Sequence, residues 1–166
     1  MSGNLKKCSL GSIVLVQFDQ CWNMLSEAID NAPDDLWIEF ENDWCYAGNV
    51  FHIIEAVDFY SRTEKEGMEW GKRAGIDWSK DSKEEANKKR QKITKESNRN
   101  YMKEIEEKLN KALKNTSDKT FLQADNFKYF SSNLERQIYS LRHAAHHIGE
   151  LNNALREHGS KRIKWQ

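Results

Sequence analysis

The sequence predicts an all-α fold, and three observations carry that prediction. The 166 residues include a single proline and eight glycines, so helix breakers are scarce. Several long stretches repeat apolar residues at spacings of three and four. No stretch shows the sustained alternation of valine, isoleucine and threonine that a sheet would need. At this length a single domain spanning residues 1–166 is expected, able to bury a core without disulfide or metal staples.

The first helix is expected from near Ser12 to Asn31, with Val14, Phe18, Cys21, Trp22, Leu25 and Ile29 as its core stripe. Asn31-Ala32-Pro33-Asp34-Asp35 ends it, because the residue before a proline avoids the helical region. A loop carrying Trp37, Phe40 and Trp44 then covers one end of the core. The second helix runs from about Tyr46 to Ser61, with Val50, Ile53, Ile54, Val57 and Tyr60 turned inward. His52 lies off that stripe, on a second, partly apolar face with Ala56 and Phe59. Taken alone, it reads as a structural histidine or as a ligand.

Residues 62–82 show no clean period and read as a long crossover holding a short helix. Its Gly67, Gly71 and Gly75 lack the strand and the Gly-Lys-Ser/Thr signature of a phosphate loop. A third long helix is expected over Lys83–Lys114, polar through Asn100 and extending past the other helices into solvent. After an aromatic connection with Phe121, Phe127, Tyr129 and Phe130 comes the fourth helix, from Ser132 to Gly159. Ser132 and Glu135 form a capping-box pattern at its start, and Gly159 supplies its stop.

At 100° per residue, Leu134, Ile138, Leu141, Ala145, Ile148 and Leu155 are expected to face the core on this helix. His143 and His147 fall at the edge of that face, one turn apart, as helical histidine pairs do in zinc sites. His146 points about 100° away from His147. By itself the pair reads first as a polar boundary on an amphipathic helix, and a third ligand elsewhere would reverse that in favour of metal.

Net charge is zero, from 26 basic and 26 acidic residues, so no global field favours nucleic acid or an anionic membrane. The distribution is uneven: net −8 over residues 1–61, +5 over 62–114 and +3 over 115–166. Helices of opposite sign are therefore expected to pack together. Cys8, Cys21 and Cys45 are odd in number and in no Cys-x-x-Cys arrangement, which fits reduced thiols in the cytoplasm. No stretch approaches the roughly 20 apolar residues that would span a bilayer.

The segment Trp44-Cys45-Tyr46-Ala47-Gly48-Asn49-Val50-Phe51-His52-Ile53-Ile54-Glu55-Ala56-Val57-Asp58-Phe59-Tyr60 belongs with a second motif. That motif is His143-x3-His147-Ile148-Gly149-Glu150-Leu151-x4-Arg156-x2-Gly159. Together they resemble the DinB/YfiT family across nearly the whole chain. The resemblance implies a four-helix bundle with a long crossover between helices 2 and 3. It also implies a divalent metal, nickel or zinc, held by His52, His143 and His147. Family members of known activity are mostly thiol-dependent, including S-transferases that use bacillithiol or mycothiol.

The expected function is thus a metal-dependent transferase or hydrolase acting on a small molecule, with a low-molecular-weight thiol as co-substrate. Glu150 would orient a ligand histidine, and a homodimer is expected. The alternative is a non-enzymatic bundle that binds a metal or a partner. A di-iron site of ferritin type would need Glu-x-x-His motifs, and none occurs. An open coordination position is expected beneath a cavity walled by Ala56, Phe59, Ser140 and Ala144, closed by the crossover or by Arg162 to Trp165.

Overall fold

The computed structural model describes residues 8–41 and 44–166, and these are mostly helical. Helix α1 spans Leu10–Asn31, opened by Ser9, whose side chain accepts the Ser12 N–H. Its expected stripe is buried throughout, from Val14 to Ile29. A short α2, Asp34–Ile38, follows Pro33. Strands β1, Phe40–Glu41, and β2, Trp44–Cys45, then pair as a two-residue antiparallel ladder, the one small departure from all-helix among the described residues. Trp37 and Trp44 pack around Tyr46, so these aromatics do cover the end of the core.

Helix α3, Tyr46–Ser61, keeps the expected bounds and is covered on nearly every side, with even Glu55 and Asp58 buried. The crossover contains one 3-10 turn, Lys72–Ala74. The expected third helix is in fact two: α4, Lys83–Arg90, and α5, Lys95–Asn115. Each has its own capping box, Ser82 with Glu85 and Thr94 with Ser97, which gives the chain two competing starts. The break lets Ile93 enter the core and its carbonyl accept the Trp37 Nε1–H at 2.8 Å. The expected solvated first half is thus anchored at two points: Ala86 is fully buried and Arg90 lies against α3.

After α6, Asp118–Phe121, the last helix is α7, Asn133–Glu157. Ser132 caps it by accepting the Glu135 N–H, but Glu135 reaches back to Ser131 instead of Ser132, so only half of the expected capping box forms. The inward face of its first half also differs from expectation. Ile138 is 52% exposed and Ala145 is exposed, while Arg136, Gln137, Ser140 and Ala144 are buried. Polar groups fill this face because partners arrive from elsewhere: Gln137 donates to the Tyr60 carbonyl at 3.0 Å, and Arg136 pairs with Asp125 and covers the Phe127 ring.

Helices α1 and α3 each pack against both α5 and α7, with one apolar cluster between the four long helices. Among the described residues no helix is long and apolar enough to cross a membrane.

Candidate metal centre

The seam between α3 and α7 brings three imidazoles together. His52 sits one turn into α3, and His143 and His147 lie one turn apart on α7, beside the buried Ser140, Ala144 and Ile148. The His52 ring centroid is 5.1 Å from that of His143 and 5.0 Å from that of His147, and the latter two are 4.5 Å apart. One ring nitrogen from each can be chosen so that all three lie within 4.8 Å of one another. Tetrahedral ligands at the usual zinc–nitrogen length stand about 3.3 Å apart, so a small contraction completes such a set.

Glu150, one turn beyond His147, sits where it can orient that ring. Its Oε2 is 2.7 Å from His147 Nδ1 and also accepts from Asn49 Nδ2 at 3.3 Å. A proton held on Nδ1 by this carboxylate leaves Nε2 with its lone pair, the arrangement common behind metal-bound histidines. Burial raises the Glu150 pKa, but the hydrogen bonds from His147 and Asn49 outweigh it and hold the carboxyl below its ordinary value. His143 Nδ1 is buried with no hydrogen-bond partner among the described residues, a polar atom that a ligand would satisfy.

Burial, reinforced by the neighbouring His147, lowers the His52 and His143 pKa values from 6.5 to about 4. Both rings are therefore neutral at pH 7, the form that binds metal. His146 is 67% exposed and directs Nε2 at Glu150 Oε1, 3.4 Å away. It could join His147 and Glu150 around an ion. That outer set draws on the carboxylate already bonded to His147, whereas the inner set uses half-buried rings from two helices.

Two hollows reach His52. One, about 260 Å³, runs between Trp44, Gly48, Asn49 and Arg90; the other, about 440 Å³, between Phe51, Glu55, Trp70, Trp78 and Arg90. The expected walls are not the ones found: Ala56, Phe59, Ser140 and Ala144 are all packed away from solvent, with Phe59 wedged among Tyr60, Trp70 and Phe127. The site opens toward the crossover and α4. The tail lies elsewhere, Ile163 in the core and the Lys164 N–H on Glu27. A larger hollow of about 780 Å³ lies to one side, lined by His146 and Glu150 but by none of the three clustered histidines.

Glu55 shares the second hollow and accepts the Gly71 N–H at 2.6 Å. Burial raises its pKa to about 7, helped by the nearby Asp58 charge. Gly71 has φ +79°, and a Cβ there would stand 2.7 Å from Trp78 Nε1, so only glycine fits this corner of the wall.

The structure brings together the three histidines and Glu150 that the sequence singled out, and adds Asn49, Glu55 and Arg90, which it did not. Asn49 and Glu55 sit three residues before and after His52, on neighbouring faces of the same helix, and that spacing was legible. Arg90 gave no such signal, because its place depends on the break before α5. No family model matches the chain, and no curated protein and no solved structure matches it either.

Proposed function

We propose that the chain is a divalent-metal-dependent enzyme, a four-helix bundle of the DinB/YfiT type. In this reading it transfers a low-molecular-weight thiol, or water, to a small electrophilic substrate in the cytoplasm. The observation that carries the reading is the convergence of His52, His143 and His147 from two helices onto one point. The donor set is nitrogen only, which suits zinc or nickel better than calcium or magnesium. The unpartnered His143 Nδ1 and the His147–Glu150–Asn49 chain fit the same reading.

Each residue has a defined task. His52 and His143 offer neutral nitrogens at pH 7, and Glu150 fixes the tautomer and angle of His147. Asn49 ties Glu150 to α3, so both helices hold the orienting carboxylate. When bound, a divalent ion supplies Lewis acidity that eases deprotonation of water or a thiol near neutral pH. Three protein ligands fall short of the four that closed structural zinc sites use, and the hollows beside His52 give an approach for the rest.

Elemental analysis of protein purified without an affinity tag tests the metal, with one zinc or nickel per chain expected. Incubation with cysteine, glutathione or bacillithiol and the electrophile 1-chloro-2,4-dinitrobenzene tests the chemistry. Thiol consumption should disappear in His143→Ala. Bound metal without turnover of any pair would favour the non-enzymatic metal-binding bundle, and protein that takes up no metal would overturn the enzyme reading and point to the partner-binding bundle.

A further inference from the structure

Arg90 is a cation with little to hold it. Among the described residues its guanidinium makes one long hydrogen bond, 3.4 Å to Asn87 Oδ1, and lies 5.2 Å from the Trp78 ring centroid. It faces both hollows that reach His52, and among the described residues it is the one cationic side chain lining either of them. The carboxyl on the same wall, Glu55, is engaged with the Gly71 N–H rather than with Arg90.

The fold makes room for this arrangement. Gly48 lies in the first turn of α3, four residues before His52 and on the same face. A Cβ at Gly48 would stand 3.3 Å from Arg90 Cδ and 3.4 Å from its Cβ and Cγ. The missing methyl lets the Arg90 stem lie along α3 and carry the guanidinium toward the histidines. Beyond it stand Trp70 and Trp78, two large aromatic rings that remain 37% and 50% exposed. A half-exposed pair of indoles beside an unpaired guanidinium is an amphipathic cleft still lacking its contents.

We infer that Arg90, Trp70 and Trp78 form a subsite for the substrate of the proposed centre, and that this substrate is a small monocarboxylate with an aromatic or flat apolar body. The inference rests on the metal-enzyme reading for its purpose, though not for its geometry. One guanidinium matches one carboxylate through two parallel hydrogen bonds. A phosphate dianion would call for further cations, and among the described residues the lining of the two hollows offers none beside Arg90. The apolar body would rest on the indoles, leaving the functional group nearest His52 to react.

Benzoate and its neutral isostere benzamide are the probes, read by tryptophan fluorescence and calorimetry on the full chain, both metal-free and loaded with zinc. Metal-free protein should prefer benzoate by about tenfold or more, the usual worth of a charge-assisted pair. Arg90→Gln should erase that preference without lowering zinc affinity, since removing a nearby cation cannot repel the ion. Gly48→Ala, which favours the helix and so keeps the fold, should weaken benzoate by crowding the Arg90 stem. Equal binding of the two probes, or a preference that survives Arg90→Gln, overturns the subsite. Zinc uptake without benzoate preference would leave the metal reading standing alone, and Arg90-dependent benzoate binding without zinc uptake would leave the subsite standing alone.

Discussion

The packing of α1 against α5 and the packing of α3 against α7 handle burial in opposite ways. Between α1 and α5 the buried groups are Phe18, Leu25, Ile105 and Leu109, which need nothing from one another but contact. Between α3 and α7 the chain half-buries three imidazoles, leaves His143 Nδ1 unsatisfied and keeps Glu150 tied to His147 and Asn49. Sequestering polar groups without full pairing costs stability. The first region stabilises the fold, and the second draws on that stability to hold the three imidazoles together. Substitutions should therefore separate the two cleanly.

The largest effect is expected on the histidine seam. His52→Ala, His143→Ala and His147→Ala should each weaken zinc binding by more than about 100-fold, beyond the range typical of outer partners. Their metal-free stability should change little, because each removes a half-buried polar group. Competition with a chromophoric chelator and urea denaturation would measure the two quantities. A large loss of metal-free stability in all three would mean that the seam is structural.

Ile105→Ala addresses the other region. Its side chain is fully buried, so truncation should cost about 2–5 kcal/mol in urea denaturation. Zinc affinity of the folded fraction should stay as in the parent. Glu150→Gln comes next: it leaves every ligand in place but weakens the hold on His147, and a loss of about 10–100-fold in zinc affinity is expected. His146→Ala should then be nearly silent, and an effect equal to that of His147→Ala would move the site to the outer cluster.

Stability against pH sharpens the contrast further. In chelated protein the lowered His52 and His143 pKa values mean that the unfolded chain takes up protons first, so stability should fall as pH drops from 6.5 toward 4. Glu55 works in the other direction. Its folded pKa of about 7 lies above the ordinary 4.5, so its contribution is complete below pH 4.5 and is lost as pH rises to 7. Glu55→Gln keeps an acceptor for the Gly71 N–H and cannot ionise. Its stability advantage over the parent should grow across that window by about 1–3 kcal/mol. A flat difference would show that Glu55 ionises freely in the folded protein. Chelation itself should leave circular dichroism nearly unchanged, since the apolar region holds the helices together.

The two regions were also unequally legible in the sequence. Where burial is apolar, as along α1, periodicity named most of the buried residues. On the first half of α7 it failed, because the residues turned inward are Arg136, Gln137 and Ser140, and an apolar stripe cannot announce a polar interior. The histidines survived that error: their spacing of four keeps them on one side wherever the face is drawn. The break at 91–94 was hidden for another reason. No proline or glycine marks it, and it arises from the Thr94–Ser97 cap and from the gain of burying Ile93. Arg90, placed by that break, was beyond the reach of any local pattern.

The division of the expected third helix has a consequence for how such a protein can change over generations. Arg90, Trp70 and Trp78 sit on the crossover and α4, where Ala86 is the one fully buried residue of the helix, while the three clustered histidines sit on α3 and α7. Substitutions at the wall of the cleft would alter what is recognised without meeting the stability threshold that constrains the four long helices. In the proposed enzyme, selectivity would drift while the histidine cluster and its scaffold are inherited intact.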